Sequence, residues 1–360
     1  MTRAVRVRDV QIGGGAPVRV QGMTKCDTRD VRATIDEIHR YADVGCEIVR
    51  VAVPDMEAAQ AVGAIVKASP IPVVADIHFD YRLALEVLRQ GVDKLRINPG
   101  NIGDRSRVEA VVEEARRRGV PIRVGVNAGS LEKSVRQDLG RTAEALVESA
   151  LRHVRILEEH DFFDIVISLK ASDVPTTLAA YRLMAQRVDY PLHVGVTEAG
   201  TPFAGTIKSA VGIGTLLAEG IGDTIRVSMT GPGEEEIRVA WEILKALKLR
   251  QRGVDIVACP TCGRLQFDMW PVVAELEKRL ATVAEPMTVA VMGCAVNGPG
   301  EAKEATLGIA GGRNMGLLFR HGQMVRRVEQ DEMVEAVWQA VQDELREAKA
   351  GGARAQGDHS

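Results

Sequence analysis

The chain has 360 residues, 46% hydrophobic and 26% charged, with 46 Lys and Arg against 49 Asp and Glu for a net charge of −3. That length predicts about two domains, and that charge gives no sign of a polybasic surface for nucleic acid or anionic lipid. Aromatic residues, at 4%, are too sparse for base-stacking platforms; no apolar run is long enough to span a bilayer or form a signal peptide, so a cytoplasmic protein is expected.

In chain order, eight short β-type runs recur: "VRVQGMT" (18–24), "IVRVAV" (48–53), "VVADIH" (73–78), "KLRINPG" (94–100), "IRVGVNAG" (122–129), "DIVISLKA" (164–171), "LHVGVTEA" (192–199) and "TIRVSMTG" (224–231). Between them lie segments of helical period. In "TIDEIHRYADVG", Ile35, Ile38, Tyr41 and Ala42 share a face and Gly45 ends the run. Eight strand–helix units over residues 1–250 predict a (β/α)8 TIM barrel; a doubly wound sheet is the competitor, disfavoured because no G-x-G-x-x-G follows the first strand. Residues 251–348 change grammar: a strand ending in C-x-x-C, the helix "DMWPVVAELEKRL", a strand ending in Cys, glycine-rich turns, the hairpin "MGLLFRHGQMVRRV" and a closing helix. They read as a small α+β domain, and the tail 349–360 is expected to be disordered.

Chemistry in a barrel collects where its strands end. Alternation gives Arg96 the face of Asn98, Arg123 that of Asn127, Arg226 that of Ser228, and Asp76 that of His78. Arg50 occupies the matching place in its own strand, the sixth strand ends in Lys170, and the seventh carries His193 and ends near Glu198. Arginines pointing outward would pair with helix carboxylates. Five cations inside, with only Asp76 and Glu198 to balance them, would instead require an anionic ligand, and Arg forks suit phosphate oxygens. Glu234, Glu235 and Glu236, in the first turn of a helix, read as partners of its dipole.

Cys259, Cys262 and Cys294 pose a separate problem. Structural zinc wants four N or S ligands, and no histidine lies near Cys294. A redox dithiol would leave Cys294 idle. A cubane iron–sulfur cluster accepts three thiolates and a different fourth ligand. Glu301, seven residues beyond Cys294, could be that exchangeable oxygen donor; a solvated turn or helix cap explains it equally on spacing alone. Cys46 reads as a small buried hydrophobe.

With "CPTCGR", "MGCAVNGPGEA", "ADIHFD", "LRINPGN" and "SLKASD" in one chain, the sequence resembles the bacterial 4-hydroxy-3-methylbut-2-enyl diphosphate synthases of the non-mevalonate (MEP) isoprenoid pathway, over residues 5–345. The resemblance implies a barrel followed by a domain related to half of a sulfite-reductase module, in the short form that lacks a large insert. It implies a [4Fe-4S] cluster held by Cys259, Cys262, Cys294 and Glu301, and a substrate site containing Arg50, Asp76, Arg96, Arg123, Lys170 and Glu198, with Asn127, His193, Arg226 and Ser228 as further members. The implied reaction turns 2-C-methyl-D-erythritol 2,4-cyclodiphosphate into (E)-4-hydroxy-3-methylbut-2-enyl diphosphate with two electrons from flavodoxin or ferredoxin. The implied assembly is a homodimer, with the cluster domain of one protomer serving its partner's barrel. Glu198 is the expected proton-handling acid, with Asp76 as alternative.

The first strand departs from the family pattern in "QGMTKCDT", which places Lys25, a possible phosphate contact, and Cys26, a thiol, near the mouth. A barrel transferase of the dihydropteroate type with a structural metal is the rival reading. A zinc-ribbon-like module recruiting nucleic acid is disfavoured by charge and composition.

Overall fold

The computed structural model describes residues 1–102, 104–131, 133–294 and 298–357. The chain divides into two compact units, Met1–Arg250 and Gln251–Ser360.

In the first unit, eight parallel strands form a ring: β3 (Arg19–Met23), β4 (Ile48–Ala52), β5 (Val73–Asp76), β6 (Lys94–Ile97), β7 (Ile122–Asn127), β8 (Ile165–Lys170), β9 (His193–Val194) and β10 (Thr224–Ile225). The order runs β8-β7-β6-β5-β4-β3-β10-β9, and an isolated parallel bridge between Ile167 and Leu192 joins the two ends. This is a TIM barrel, and the doubly wound alternative is excluded by the closure. β9 and β10 shrink to two residues each, because the chain leaves the ladder just where its side chains turn to the mouth.

Helices follow the strands, and several start where the sequence supplies an acceptor for unpaired helix N–H groups. Asp30 caps α1 (Val31–Asp43), Asp55 caps α2 (Met56–Ala68), Asp104 caps α4 (Arg105–Arg118) and Asp173 caps α7 (Val174–Ala185). The apolar layer lies between strands and helices. Val49, Val51, Leu95, Ile97, Val124 and Ile167 face it. At the strands' starting end, the antiparallel hairpin β1 (Val5–Val7) and β2 (Val10–Ile12) seats Val7 and Ile12 against Ile48 and Val74. That plug leaves the strand ends as the open side.

The second unit is a five-stranded sheet, β11 (Val254–Ala258), β12 (Met287–Met292), β13 (Leu307–Gly312), β14 (Met315–Arg320) and β15 (Gln323–Glu329), in that order. The first three strands are parallel and the last three antiparallel. His321 and Gly322, both at positive φ, make the two-residue turn of the expected hairpin. Alternation splits the faces: Val289 and Val291 meet α10 (Met269–Leu280) and α12 (Met333–Gly357), whereas Ala290 and Met292 meet Ala302 of α11 (Gly298–Glu304). Two expectations change. The "GPGEAKE" stretch is helical, not only a turn, and α12 runs past residue 349 to Gly357: Met333, Val337 and Val341 anchor its start, and extending a formed helix costs less than starting one, even through Gly351 and Gly352. Residues 358–360 of the expected tail lie outside the described residues. No helix among the described residues is long and apolar enough to cross a membrane.

Candidate functional site

Strand alternation decides what enters the barrel. In β6, Leu95 and Ile97 face the helices, so Lys94 and Arg96 turn inward. In β7 and β8 the same logic turns Arg123, Ser168 and Lys170 inward, while Arg50 and Asp76 enter from β4 and β5. Arg50, Asp76, Arg96, Arg123, Lys170 and His193 are all buried, and Arg226 nearly so.

Asp76 is the hub. Arg96 Nη1 donates to it at 3.1 Å, and Arg50 Nε stands 3.6 Å away. Burial pushes the Asp76 carboxyl up, but Arg50 and Arg96 outweigh that and hold it at about 2. Arg96 also donates to Gly125 O at 2.6 Å, and its Nη1 lies 3.1 Å from His78 Nδ1. A Cβ on Gly125 would stand 2.5 Å from Arg96 Nε, so this strand position requires glycine. Arg50 Nε and Nη2 both donate to the Met23 sulfur, a weak acceptor that leaves much of their capacity unused.

The remaining polar atoms are orphaned. Arg96 Nε, Arg123 Nε and Nη1, Arg226 Nε, Lys94 Nζ and His193 Nε2 are buried without a hydrogen-bond partner, as are both amide atoms of Gln21. Buried polar groups are nearly always satisfied, so such a concentration marks a place for a ligand. Burial, then neighbouring cations, lowers Lys94, Lys170 and His193 well below their ordinary values. Burial pulls Arg50 down to about 10 against the pull of Asp76, and burial followed by Arg50 and Arg96 lowers Arg123 well below its ordinary value. Guanidinium groups keep their proton in proteins, so here the burden is an uncompensated charge that an anion relieves.

Of the other expected residues, Asn127 and Ser228 are half-buried, and His193 Nδ1 pairs with Thr224 Oγ1 at 2.6 Å. Glu198 is exposed with left-handed backbone (φ 52°) in the stretch after β9, outside the buried ion-pair network. Lys25 donates to Gly231 O and to Glu236 Oε1, so its ammonium is engaged by the protein. Cys26 is half-buried beside Thr34, and burial followed by Glu37 raises its thiol to about 11, which makes it a poor nucleophile. Cys46 is the small buried side chain expected.

Two members escaped the sequence reading. Lys94 shares the parity of Arg96 in "KLRIN", a signal that alternation alone could have caught. Glu236 corrects the dipole reading: Glu234 and Glu235 do pair with arginines at the surface, but Glu236 is buried and faces Lys25 and Arg226.

In the second unit, parallel pairing of β11 with β12 sets Ala258 beside Val291, so Cys259 and Cys294 follow the same ends of adjacent strands. Cys259 N–H donates to Val291 O, Gln266 N–H to Gly293 O, and Gly293 N–H to Cys259 Sγ at 3.3 Å. Thr261, between the first two thiols, takes left-handed backbone (φ 48°), a strain of about 1–3 kcal/mol that a binding turn can sustain. Cys259 and Cys294 are half-buried, and Cys262 and Glu301 exposed. Among the described residues no three His, Cys, Asp or Glu side chains are gathered at metal-binding spacing, and Ala295–Asn297 lie outside them. Three soft thiols on one sheet edge, with a backbone N–H on one sulfur, fit an iron–sulfur group.

Comparison with known proteins matches residues 2–241 to the GcpE TIM-barrel domain and residues 255–343 to the GcpE protein C-terminal domain. The chain belongs to the GcpE family. A GcpE relative from Geobacter sulfurreducens, named 4-hydroxy-3-methylbut-2-en-1-yl diphosphate synthase (flavodoxin), is 64% identical over 96% of this chain and 98% of its own. One of the same name from Symbiobacterium thermophilum is 60% identical over 98% of this chain and 95% of its own. A solved dihydropteroate synthase from Yersinia pestis aligns with 69% of this GcpE chain and 98% of its own at 12% identity and a TM-score of 0.48, too distant to bear on activity.

Proposed function

We propose that the chain opens 2-C-methyl-D-erythritol 2,4-cyclodiphosphate reductively, yielding (E)-4-hydroxy-3-methylbut-2-enyl diphosphate and water. Its activity is that of its family, an oxidoreductase step of the non-mevalonate isoprenoid pathway. The observation that carries the assignment of the substrate site is the buried surplus of positive charge: Arg50, Lys94, Arg96, Arg123, Lys170 and Arg226 against the carboxylates of Asp76 and Glu236.

In this reading the diphosphate oxygens accept from the unused N–H groups of Arg50, Arg96, Arg123 and Arg226 and from Lys170, with Asn127, His193 and Ser228 completing the shell. Asp76 orients Arg50 and Arg96. Held at about 2, Asp76 is ionised near neutral pH and serves as counter-charge, and Glu198 is assigned the proton-handling role at the departing hydroxyl. Cys259, Cys262, Cys294 and Glu301 would hold a [4Fe-4S] cluster, which when bound supplies the two electrons and a Lewis-acidic iron. Glu301 contributes the hard oxygen donor, the ligand of the four that gives way most readily. Flavodoxin (ferredoxin as the alternative) delivers the electrons, and the working unit is a homodimer in the cytoplasm.

The test is anaerobic reconstitution with iron and sulfide, followed by turnover of the cyclodiphosphate with a chemical reductant. Glu301→Ala should keep the brown iron–sulfur absorption and lose turnover by about 10²-fold or more. Full turnover in that variant would remove Glu301 from the ligand set, and a colourless protein would remove the cluster.

A further inference from the structure

Lys25 ties together the ends of two neighbouring barrel strands, β3 and β10. Its backbone N–H donates to both oxygens of the buried Glu37 at 3.1 and 3.0 Å, and Glu37 is held in turn by the Tyr41 hydroxyl at 2.6 Å. From that fixed base the side chain crosses to the stretch after β10, where Nζ donates to Gly231 O and, at 3.2 Å, to Glu236 Oε1. The same Oε1 accepts the Met229 N–H at 3.1 Å. Glu236 Oε2 accepts nothing and stands 3.6 Å from Arg226 Nη2. Arg226 Nε is buried and unpartnered.

A buried carboxylate beside a guanidinium normally closes to a charge-assisted contact of about 2.7–2.9 Å, often two at once. Here it does not close, because Oε1 is held by the ammonium and by a backbone N–H from another direction. Glu236 therefore neutralises Arg226 at a distance without using up its donors. We infer that Lys25 is a positioning residue for anion binding: by holding Glu236 Oε1, it keeps that carboxylate from clasping Arg226 and leaves the guanidinium free for the substrate's diphosphate. The inference rests on the diphosphate reading above. It differs from a direct phosphate contact by Lys25, whose ammonium is already committed to Gly231 and Glu236.

Calorimetric titration of the cyclodiphosphate into wild type, K25M, K25R, E236Q and K25M/E236Q tests it. K25M should bind about tenfold more weakly as Glu236 swings onto Arg226, and K25R should return to within about twofold of wild type. K25M/E236Q should also recover, since the competing charge is gone. A loop staple or a direct phosphate contact predicts no such recovery, so a double variant as weak as K25M overturns the proposal. K25M binding like wild type overturns it as well. E236Q alone should bind at least as tightly as wild type; this measurement stands even if K25M does not fold, and tenfold weaker binding there would show that Glu236 supports Arg226 instead of restraining it. Failure of the wild type to bind the cyclodiphosphate would sink the diphosphate reading, leaving a different signature from failure of the Lys25 variants alone.

Discussion

The barrel interior and the cysteine edge of the second unit prepare for their ligands in opposite ways. In the barrel, strand backbone forces Arg96, Arg123 and Lys170 into a shared interior that is electrostatically loaded as it folds. On the cysteine edge, the donors sit on turns and on the short helix α11, and no three are gathered among the described residues. The difference teaches where each site stores its free energy. The barrel carries a buried-charge penalty that an anion would relieve, whereas on the thiol edge a bound group would complete the local order.

The largest effect expected from that contrast is a clean separation of functions. Cys259→Ser should abolish turnover and the iron–sulfur absorption, yet leave most of the diphosphate affinity, because the buried arginines and lysines all belong to the first unit. Affinity falling together with the absorption would break the comparison.

Next comes the hub. Asp76→Asn leaves Arg50 and Arg96 without their counter-charge and should destabilise the first unit by about 3–5 kcal/mol in urea unfolding. The sign with pH follows from the depressed carboxyl. Its stabilising share is full above the ordinary carboxylate value and is lost as pH falls from about 4 towards the folded value of about 2. Wild type should therefore lose stability across that window more steeply than Asp76→Asn does.

The smallest effect sharpens the idea of a loaded interior. Lys94→Met deletes an unpartnered buried amine and should stabilise the free protein by about 1–3 kcal/mol at neutral pH. A lysine lowered by folding binds more protons when unfolded, so wild-type stability should rise with pH towards the ordinary lysine value, and Lys94→Met should flatten that rise. Destabilisation by Lys94→Met at neutral pH would mean that the amine already has a partner.

Much of this was legible in the sequence because it follows from a period of two. Arg50, Arg96 and Arg123 could be placed inside from alternation with Val49, Leu95 and Val124, and the motifs "CPTCGR" and "MGCAVNGPGEA" marked the thiols. Lys94 was open to the same reading, and what alternation could not reach depended on orientation within a helix turn or on helix propagation. Glu234, Glu235 and Glu236 look alike in sequence, and only the phase of α9 (Gly233–Ala246) buries the last. The length of α12 was hidden because its far end has no apolar residues to advertise it; its order is seeded by those near Met333.

The seam where the barrel closes gives its wall two unequal halves. β7 and β8 are laced together over Ile122–Asn127 and Ile165–Lys170, whereas β8 meets the stretch around β9 through the isolated Ile167–Leu192 bridge, the Thr197 N–H to Ala171 O bond beyond it and the Tyr181 hydroxyl, which accepts from Leu169 N–H and donates to His193 O. Breathing of the wall thus concentrates on one flank, beside Lys170 and His193, and amide exchange should be fastest there. A wall laced so unevenly can widen at its lightly bonded flank while the strands that carry Arg96 and Arg123 stay paired.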